Sequence, residues 1–415
     1  MKKALIPFFL LLCSFSYGQN FSGDWEGMLS VGGNKLPLVF HLKNGDTDSL
    51  TGTWDSPMQG ASGLSFTMLK TKGDSVFAEV KNIGASFTGK LVSPDSISGD
   101  WRQSGVSFPL GMKKGKEATQ SPNKNEHEID IPAFGKIKLS GSLISKNKTN
   151  PLVIIIAGSG PTDRNGNSPL GVHADTYLQL ANSLDSQNIS SFRYDKRGIG
   201  KSAYSGMKES DLRFDDYVND VDSIVQFFKR DGYSRIFLAG HSEGSLLGMI
   251  AAAKEKVNGY ISVSGVGVPA GEIIKKQLSG KVGGIADSTI DRIVDNLEDG
   301  HEVKNVPAAL TNIFRPSIQP YLINWFSYDP ANEIKKVNCP ILILQGTCDI
   351  QVGVDNAKDL YDEAKNAELK IIQNMSHVLK DAGKDCENQQ RTYIDNSIPV
   401  SPELIKVIVQ FVKIH

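Results

Sequence analysis

The chain has 415 residues, 40% of them hydrophobic and 22% charged, which is too long for one average domain and enough to bury a sizeable core. Its 45 Lys and Arg nearly balance 46 Asp and Glu, for a net charge of -1; that balance argues against a nucleic-acid or polyanion partner. Neither the aromatic nor the charged fraction is that of a disordered chain.

Residues 1–18 read as a signal peptide. Met1-Lys2-Lys3 supplies the positive region and Leu5 to Cys13 the apolar one. Ser16-Tyr17-Gly18 then offers small residues at the spacing a signal peptidase needs, with cleavage after Gly18. The apolar run is too short for a comfortable membrane span. Bulky Leu12 before Cys13 disfavours a lipoprotein signal. The mature chain is therefore expected in the periplasm or secreted, with no integral membrane segment. Three cysteines remain after cleavage, Cys339, Cys348 and Cys386. An odd number means at least one free thiol or an intermolecular bridge; a Cys348–Cys386 bridge and three buried thiols are both open.

Residues 19–111 are short alternating runs broken by Gly, Asp, Asn and Ser, an all-β pattern. Leu36 to Leu42, Ser75 to Val80 and Ser86 to Leu91 read as strands. A weak repeat runs through Gly23-Asp24-Trp25, Thr51-Gly52-Thr53-Trp54, Thr88-Gly89 and Ser98-Gly99-Asp100-Trp101. Such units predict a small antiparallel barrel or sandwich with the tryptophans packed inside; the competing reading makes them a sugar-binding platform. Residues 112–126, polar and lysine-rich, read as a linker.

From 127 to 415 the pattern is that of an α/β domain. Leu152 to Ala157, Ser191 to Tyr194, Ile236 to Ala239, Tyr260 to Val263 and Ile341 to Leu344 are runs typical of buried parallel strands. Helical patterns such as Phe214 to Arg230 and Ser245 to Lys256 lie between them, giving a doubly wound sheet. About 75 helical-looking residues separate Val263 from Ile341 where a short crossover would serve. An excursion of that length is usually functional, and a cap over about 271–330 is expected.

Gly240-His241-Ser242-Glu243-Gly244 follows the strand ending at Ala239 and opens a helix. That setting is a nucleophile elbow: small flanking residues permit the sharp turn that lifts the Ser242 hydroxyl above the sheet. A serine needs a base and a group to orient the base. Of the seven histidines, His377 alone falls in a loop after a late strand and before the C-terminal helix, where it reaches back over the sheet. Asp349 follows the strand Ile341 to Leu344, at the sheet edge that carries sites; the end of Tyr260 to Val263 offers no carboxylate. The order Ser242, Asp349, His377 is that of an α/β hydrolase. Oxyanion donors are expected from the backbone N–H of Glu243 and from the loop Ala157-Gly158-Ser159-Gly160-Pro161, at Ser159 with Gly160 as fallback. The chemistry calls for no cofactor, and no zinc-ligand spacing occurs, so no metal is expected. Asp195 to Ser202 ends like a phosphate-binding loop, but Asp195 stands where glycine is needed and no helix starts at Lys201-Ser202, so nucleotide binding is rejected.

Those motifs, with Gly158 to Gly166, Tyr194 to Ser202, Phe314 to Pro330 and Gln345 to Val352, resemble bacterial α/β-hydrolase carboxylesterases, often grouped with serine aminopeptidase-like hydrolases. The resemblance covers roughly 126–415. It implies an α/β-hydrolase fold with a helical cap insertion behind a small all-β N-terminal domain, Ser242, Asp349 and His377 as triad, and Asp195 to Ser202 as a structural loop. The expected substrate is a small-molecule carboxylic ester with a short acyl chain. An aminopeptidase of the same mechanism is the alternative, with Asp291, Asp295 and Glu298 of the cap holding the substrate amine. An envelope glycan-binding protein acting through the β domain is the alternative of another class.

Overall fold

Runs in which buried and exposed residues interleave build the first nine strands of the computed structural model, which describes residues 20–31, 34–45, 49–56, 61–115 and 123–415. The expected signal peptide and residues 116–122 of the expected linker lie outside the described residues. The strands are β1 (Gly23–Val31), β2 (Asn34–Asn44), β3 (Leu50–Ser56), β4 (Ala61–Ser65), β5 (Met68–Lys72), β6 (Ser75–Val80), β7 (Ala85–Ser93), β8 (Ser96–Gln103) and β9 (Val106–Lys114). They form one curled, antiparallel sheet in the order β4-β3-β2-β1-β9-β8-β7-β6-β5, where the sequence had left barrel and sandwich both open. Trp25 opposes Phe40, and Phe87 opposes Trp101. Trp25, Trp54 and Trp101 are 0%, 3% and 2% exposed. These indoles are core, with the Trp54 and Trp101 centroids 5.7 Å apart. Strand β9 runs three residues into the stretch read as linker, because Met112 continues the alternation into the core.

After Gly115 the chain leaves this β unit. The second unit holds β10 (Glu126–Ala133), β11 (Ile137–Ile144), β12 (Leu152–Ile156), α1 (Thr176–Ser186), β13 (Ser190–Tyr194), α2 (Phe214–Arg230), β14 (Ile236–His241), α3 (Glu243–Lys254) and β15 (Gly259–Val263). The excursion carries α4 (Ala270–Leu278), α5 (Asp287–Glu298), α6 (Thr311–Phe314), α7 (Gln319–Phe326) and α8 (Pro330–Ile334). Then follow β16 (Ile341–Gly346), α9 (Val354–Glu363), β17 (Ala367–Ile372) and α10 (Pro402–Ile414). The sheet order is β10-β11-β13-β12-β14-β15-β16-β17. Every pairing from β13 to β17 is parallel, and β11 runs against its neighbours. This is the α/β-hydrolase fold with a helical excursion between β15 and β16.

Each central strand feeds two cores. Leu152, Ile154 and Ile156 of β12 join the residues of α2, α3 and the excursion, whereas Val153 and Ile155 join those of α1 and α10. Burial on both faces is what the unbroken apolar runs required. Helix α2 is capped at its start by the Asp216 carboxylate, which accepts the Arg213 N–H at 2.8 Å. Helix α3 is buried from Glu243 through Ala252, so the strand-turn-helix unit at Ser242 sits on the most enclosed element of the sheet.

Candidate active site

Ser242 lies between β14 and α3 with φ 55° and ψ -122°, a strained conformation for a side chain with a Cβ. The glycines around it make the turn possible. A Cβ on Gly240 would lie 2.1 Å from the Gly244 carbonyl oxygen, and one on Gly244 would lie 2.4 Å from that of Ile156. The turn is held by the Ser242 N–H donating to Val263 at 3.0 Å and by its carbonyl accepting from Ser245 at 2.9 Å.

Strand β16 delivers Asp349 and the loop after β17 delivers His377. Their side chains meet at 2.8 Å, His377 Nδ1 to Asp349 Oδ2, both buried. The same Oδ2 accepts from Gln345 Nε2 at 3.0 Å. Oδ1 accepts the N–H groups of Gln351 at 2.8 Å and Val352 at 2.9 Å. Burial pushes the Asp349 carboxyl up, but the neighbouring His377 and the two backbone donors outweigh it, leaving the group below the usual carboxylate range. With Nδ1 committed as donor to Asp349, Nε2 of His377 is the nitrogen available to accept a proton. Ser242 Oγ makes no hydrogen bond to His377 in this structure; catalytic hydrogen bonds often tighten only with substrate bound.

What ties the elbow to the base loop is His241. Its Nε2 bonds the His377 carbonyl oxygen at 2.7 Å, and its Nδ1 bonds the Tyr177 hydroxyl at 2.7 Å. A carbonyl can only accept, so the proton sits on Nε2 and Nδ1 accepts from Tyr177. Burial, reinforced by the neighbouring His377, pushes the His241 ring down to about 3, so it is neutral. The sequence shows His241 inside the elbow and away from the hydroxyl; nothing in it links that ring to residue 377.

The loop after β12 abuts the nucleophile: a Cβ on Gly158 would sit 3.2 Å from that of Ser242. Glu243 is the first residue of α3, so its N–H has no acceptor within the helix. Among the described residues neither that N–H nor the Ser159 N–H donates to another group. Both expected oxyanion donors thus sit unspent at the elbow, with the Gly160 backbone (φ +74°) next along. The Glu243 side chain turns inward, is 3% exposed, and lies 3.4 Å from the Lys196 ammonium. It also accepts the Tyr321 hydroxyl of α7 at 2.8 Å.

Two of the three cap acids of the aminopeptidase alternative are engaged elsewhere. Asp295 lies 2.8 Å and Glu298 3.6 Å from Lys275 of α4, and these two, with Asp291, lie on the exposed side of α5. Cys348 and Cys386 form a disulfide, and Cys339 is a free thiol. In the expected structural loop, Asp195 accepts from Arg164 and from the Lys201 N–H, and Lys196 points into the site. No described helix is long and apolar enough to cross a membrane.

Residues 169–308 match the model of a family described as serine aminopeptidase, S33. The chain is 24% identical over 238 residues to Esterase EstD of Thermotoga maritima, covering 55% of this chain and 54% of that protein. It is 26% identical over 224 residues to a monoglyceride lipase homolog of monkeypox virus, covering 50% of this chain and 79% of that one. The match thus spans about half the length of the Thermotoga relative. Among solved structures, Est1E from Butyrivibrio proteoclasticus aligns over 69% of this chain and 99% of its own at 21% identity and TM-score 0.47. Proline iminopeptidase of Mycobacterium smegmatis aligns over 70% and 98% at 14% identity and TM-score 0.45.

Proposed function

We propose that this α/β hydrolase is an exported serine esterase that cleaves small carboxylic esters with short acyl chains through an acyl-enzyme on Ser242. The observation that carries the reading is the buried Asp349–His377 pair, whose loop is tied through His241 to the elbow that holds Ser242 at positive φ. Ser242 Oγ attacks the ester carbonyl carbon while its proton passes to His377 Nε2. The carbonyl oxygen becomes an oxyanion and takes hydrogen bonds from the N–H groups of Glu243 and Ser159, with Gly160 as the alternative to Ser159. Collapse breaks the carbon–oxygen bond to the alcohol, which leaves with the proton from Nε2. Water then attacks the acyl-enzyme, gives its proton to the same nitrogen, and releases the acid and Ser242. Asp349 keeps Nδ1 protonated throughout and stabilises the imidazolium.

The names of the two curated relatives, an esterase and a monoglyceride lipase homolog, favour ester chemistry over peptide chemistry. The family description favours the aminopeptidase. Against it stand the pairing of two of the three cap acids, Asp295 and Glu298, with Lys275, and that of Glu243 with Lys196 and Tyr321. Export rests on the signal sequence, and a disulfide suits an oxidising compartment.

A fluorophosphonate probe should label the wild-type protein at Ser242 and leave Ser242→Ala unlabelled. Hydrolysis of p-nitrophenyl acetate and butyrate should exceed that of longer esters and of aminoacyl anilides. Turnover of the anilides alone would replace this reading with the aminopeptidase.

A further inference from the structure

Lys196 is 2% exposed, on a loop that follows β13. An ammonium group brought so far from water must spend its donors, and each of the three has a partner. Nζ donates to the Gly158 carbonyl at 2.6 Å and lies 3.4 Å from Glu243 Oε1. It also stands 5.0 Å from the centre of the Tyr217 ring, within cation–π range. Two of these partners belong to the two segments that supply the oxyanion donors.

The Gly158 carbonyl shares its peptide plane with the Ser159 N–H. All described peptide bonds are trans, and in a trans peptide the C=O and N–H point in opposite directions. Drawing the carbonyl oxygen toward Lys196 therefore aims the Ser159 N–H the other way. The near side of the same residue is fixed as well, because the Gly158 N–H donates to the Tyr177 hydroxyl at 3.2 Å. Gly158 is otherwise the residue whose backbone is freest to rotate, so the aim of the next N–H needs an outside anchor. The second partner, Glu243, contributes its own N–H from the same residue that Lys196 grips by the side chain.

We infer that Lys196 is a positioning residue of the oxyanion hole: it orients the Gly158–Ser159 peptide and, through the Glu243 carboxylate, the first turn of α3. The inference rests on the esterase reading above. It gives the loop Asp195 to Ser202 a role in the chemistry rather than in packing alone.

Lys196→Met by itself leaves the buried Glu243 charge without its cation and endangers folding, so the test uses Lys196→Met/Glu243→Gln and Lys196→Arg. The first removes both charges; the second keeps the charge pairing but replaces the compact ammonium with a wide planar head. The measurements are kcat and KM on p-nitrophenyl acetate per folded protein, thermal unfolding, and inhibition by an alkyl boronic acid, whose tetrahedral adduct places an oxygen in the hole. For the double variant, kcat should fall about 100-fold, the effect of a displaced oxyanion donor, with KM within about threefold and boronate affinity falling in parallel. Lys196→Arg should unfold near the wild-type temperature yet keep a kcat deficit of about tenfold. Wild-type kcat and boronate affinity in folded Lys196→Arg would overturn the inference, since a purely structural lysine is rescued whenever stability is. A wild-type protein that fails to label at Ser242 overturns the esterase reading instead, and the two failures are thus told apart.

Discussion

Replacing Asp349 by Asn tests the site through its least visible member. Asp349 Oδ1 accepts two backbone N–H groups, while Oδ2 accepts from His377 and Gln345. An Asn amide has one oxygen, and two rigid N–H donors claim it; turning the NH2 toward them would forfeit two hydrogen bonds and oppose donor to donor. The oxygen therefore stays on the Oδ1 side, and the amide nitrogen faces His377. A donor there forces Nδ1 to accept, so the imidazole proton moves to Nε2, the nitrogen that takes the Ser242 proton in the proposed mechanism. Loss of the correct tautomer costs about 10⁴-fold in kcat, or about 5 kcal/mol of transition-state stabilisation. The Gln345 contact also becomes donor against donor, for a stability loss of about 1–3 kcal/mol. Steady-state hydrolysis of p-nitrophenyl acetate and thermal unfolding would be measured on the same preparation. A natively folded Asp349→Asn with kcat within tenfold of wild type would refute the reasoning.

Acid should destabilise the fold through His241. Its folded value, about 3, lies below the unfolded value of about 6.5, so the stability it confers is complete above the unfolded value. That stability is lost as pH falls toward the folded value, a contribution of a few kcal/mol at most. Urea unfolding between these limits should show the decline in the wild type and a shallower slope in His241→Gln. Breaking the disulfide with Cys348→Ser/Cys386→Ser opens a loop that spans 38 positions and holds both Asp349 and His377. Loop entropy puts the loss at about 2–4 kcal/mol, and a thermal melt should fall with kcat; unchanged kcat would mean the loop is held by its other bonds. Tyr321→Phe deletes the hydroxyl that Glu243 accepts from and should lower stability by about 1–2 kcal/mol, read by urea titration, with Lys196 still pairing the carboxylate.

The strands, the turn at Ser242 and the places of Asp349 and His377 after late strands were readable because each depends on local pattern: apolar runs, glycine spacing, and position after a strand. Helix α2 follows its apolar stripe from Phe214 to Arg230 as the sequence predicted. The auxiliary contacts were not readable, because each joins distant segments. His241 reaches residue 377, Lys196 reaches Gly158 and Glu243, and Tyr321 reaches Glu243 from the cap. No spacing rule encodes such meetings; they follow from strand order, which the sequence leaves undetermined. The pairing of Cys348 with Cys386 was open for the same reason. The linker boundary failed differently: the lysines at 113 and 114 masked the buried Met112 that keeps β9 in its sheet.

The excursion between β15 and β16 has a consequence for how such a protein can change over evolutionary time. Tyr260 pairs with Ile341 and Val263 with Leu344 as in any neighbouring parallel strands, although some 75 residues pass between them. Closing so long a loop costs only about 2 kcal/mol more than a ten-residue crossover. The segment could thus change in length at little entropic cost to the β15–β16 register, so long as its replacement still covers the core it shares with β12, α2 and α3. Selectivity can then drift quickly over a slowly changing chemical engine.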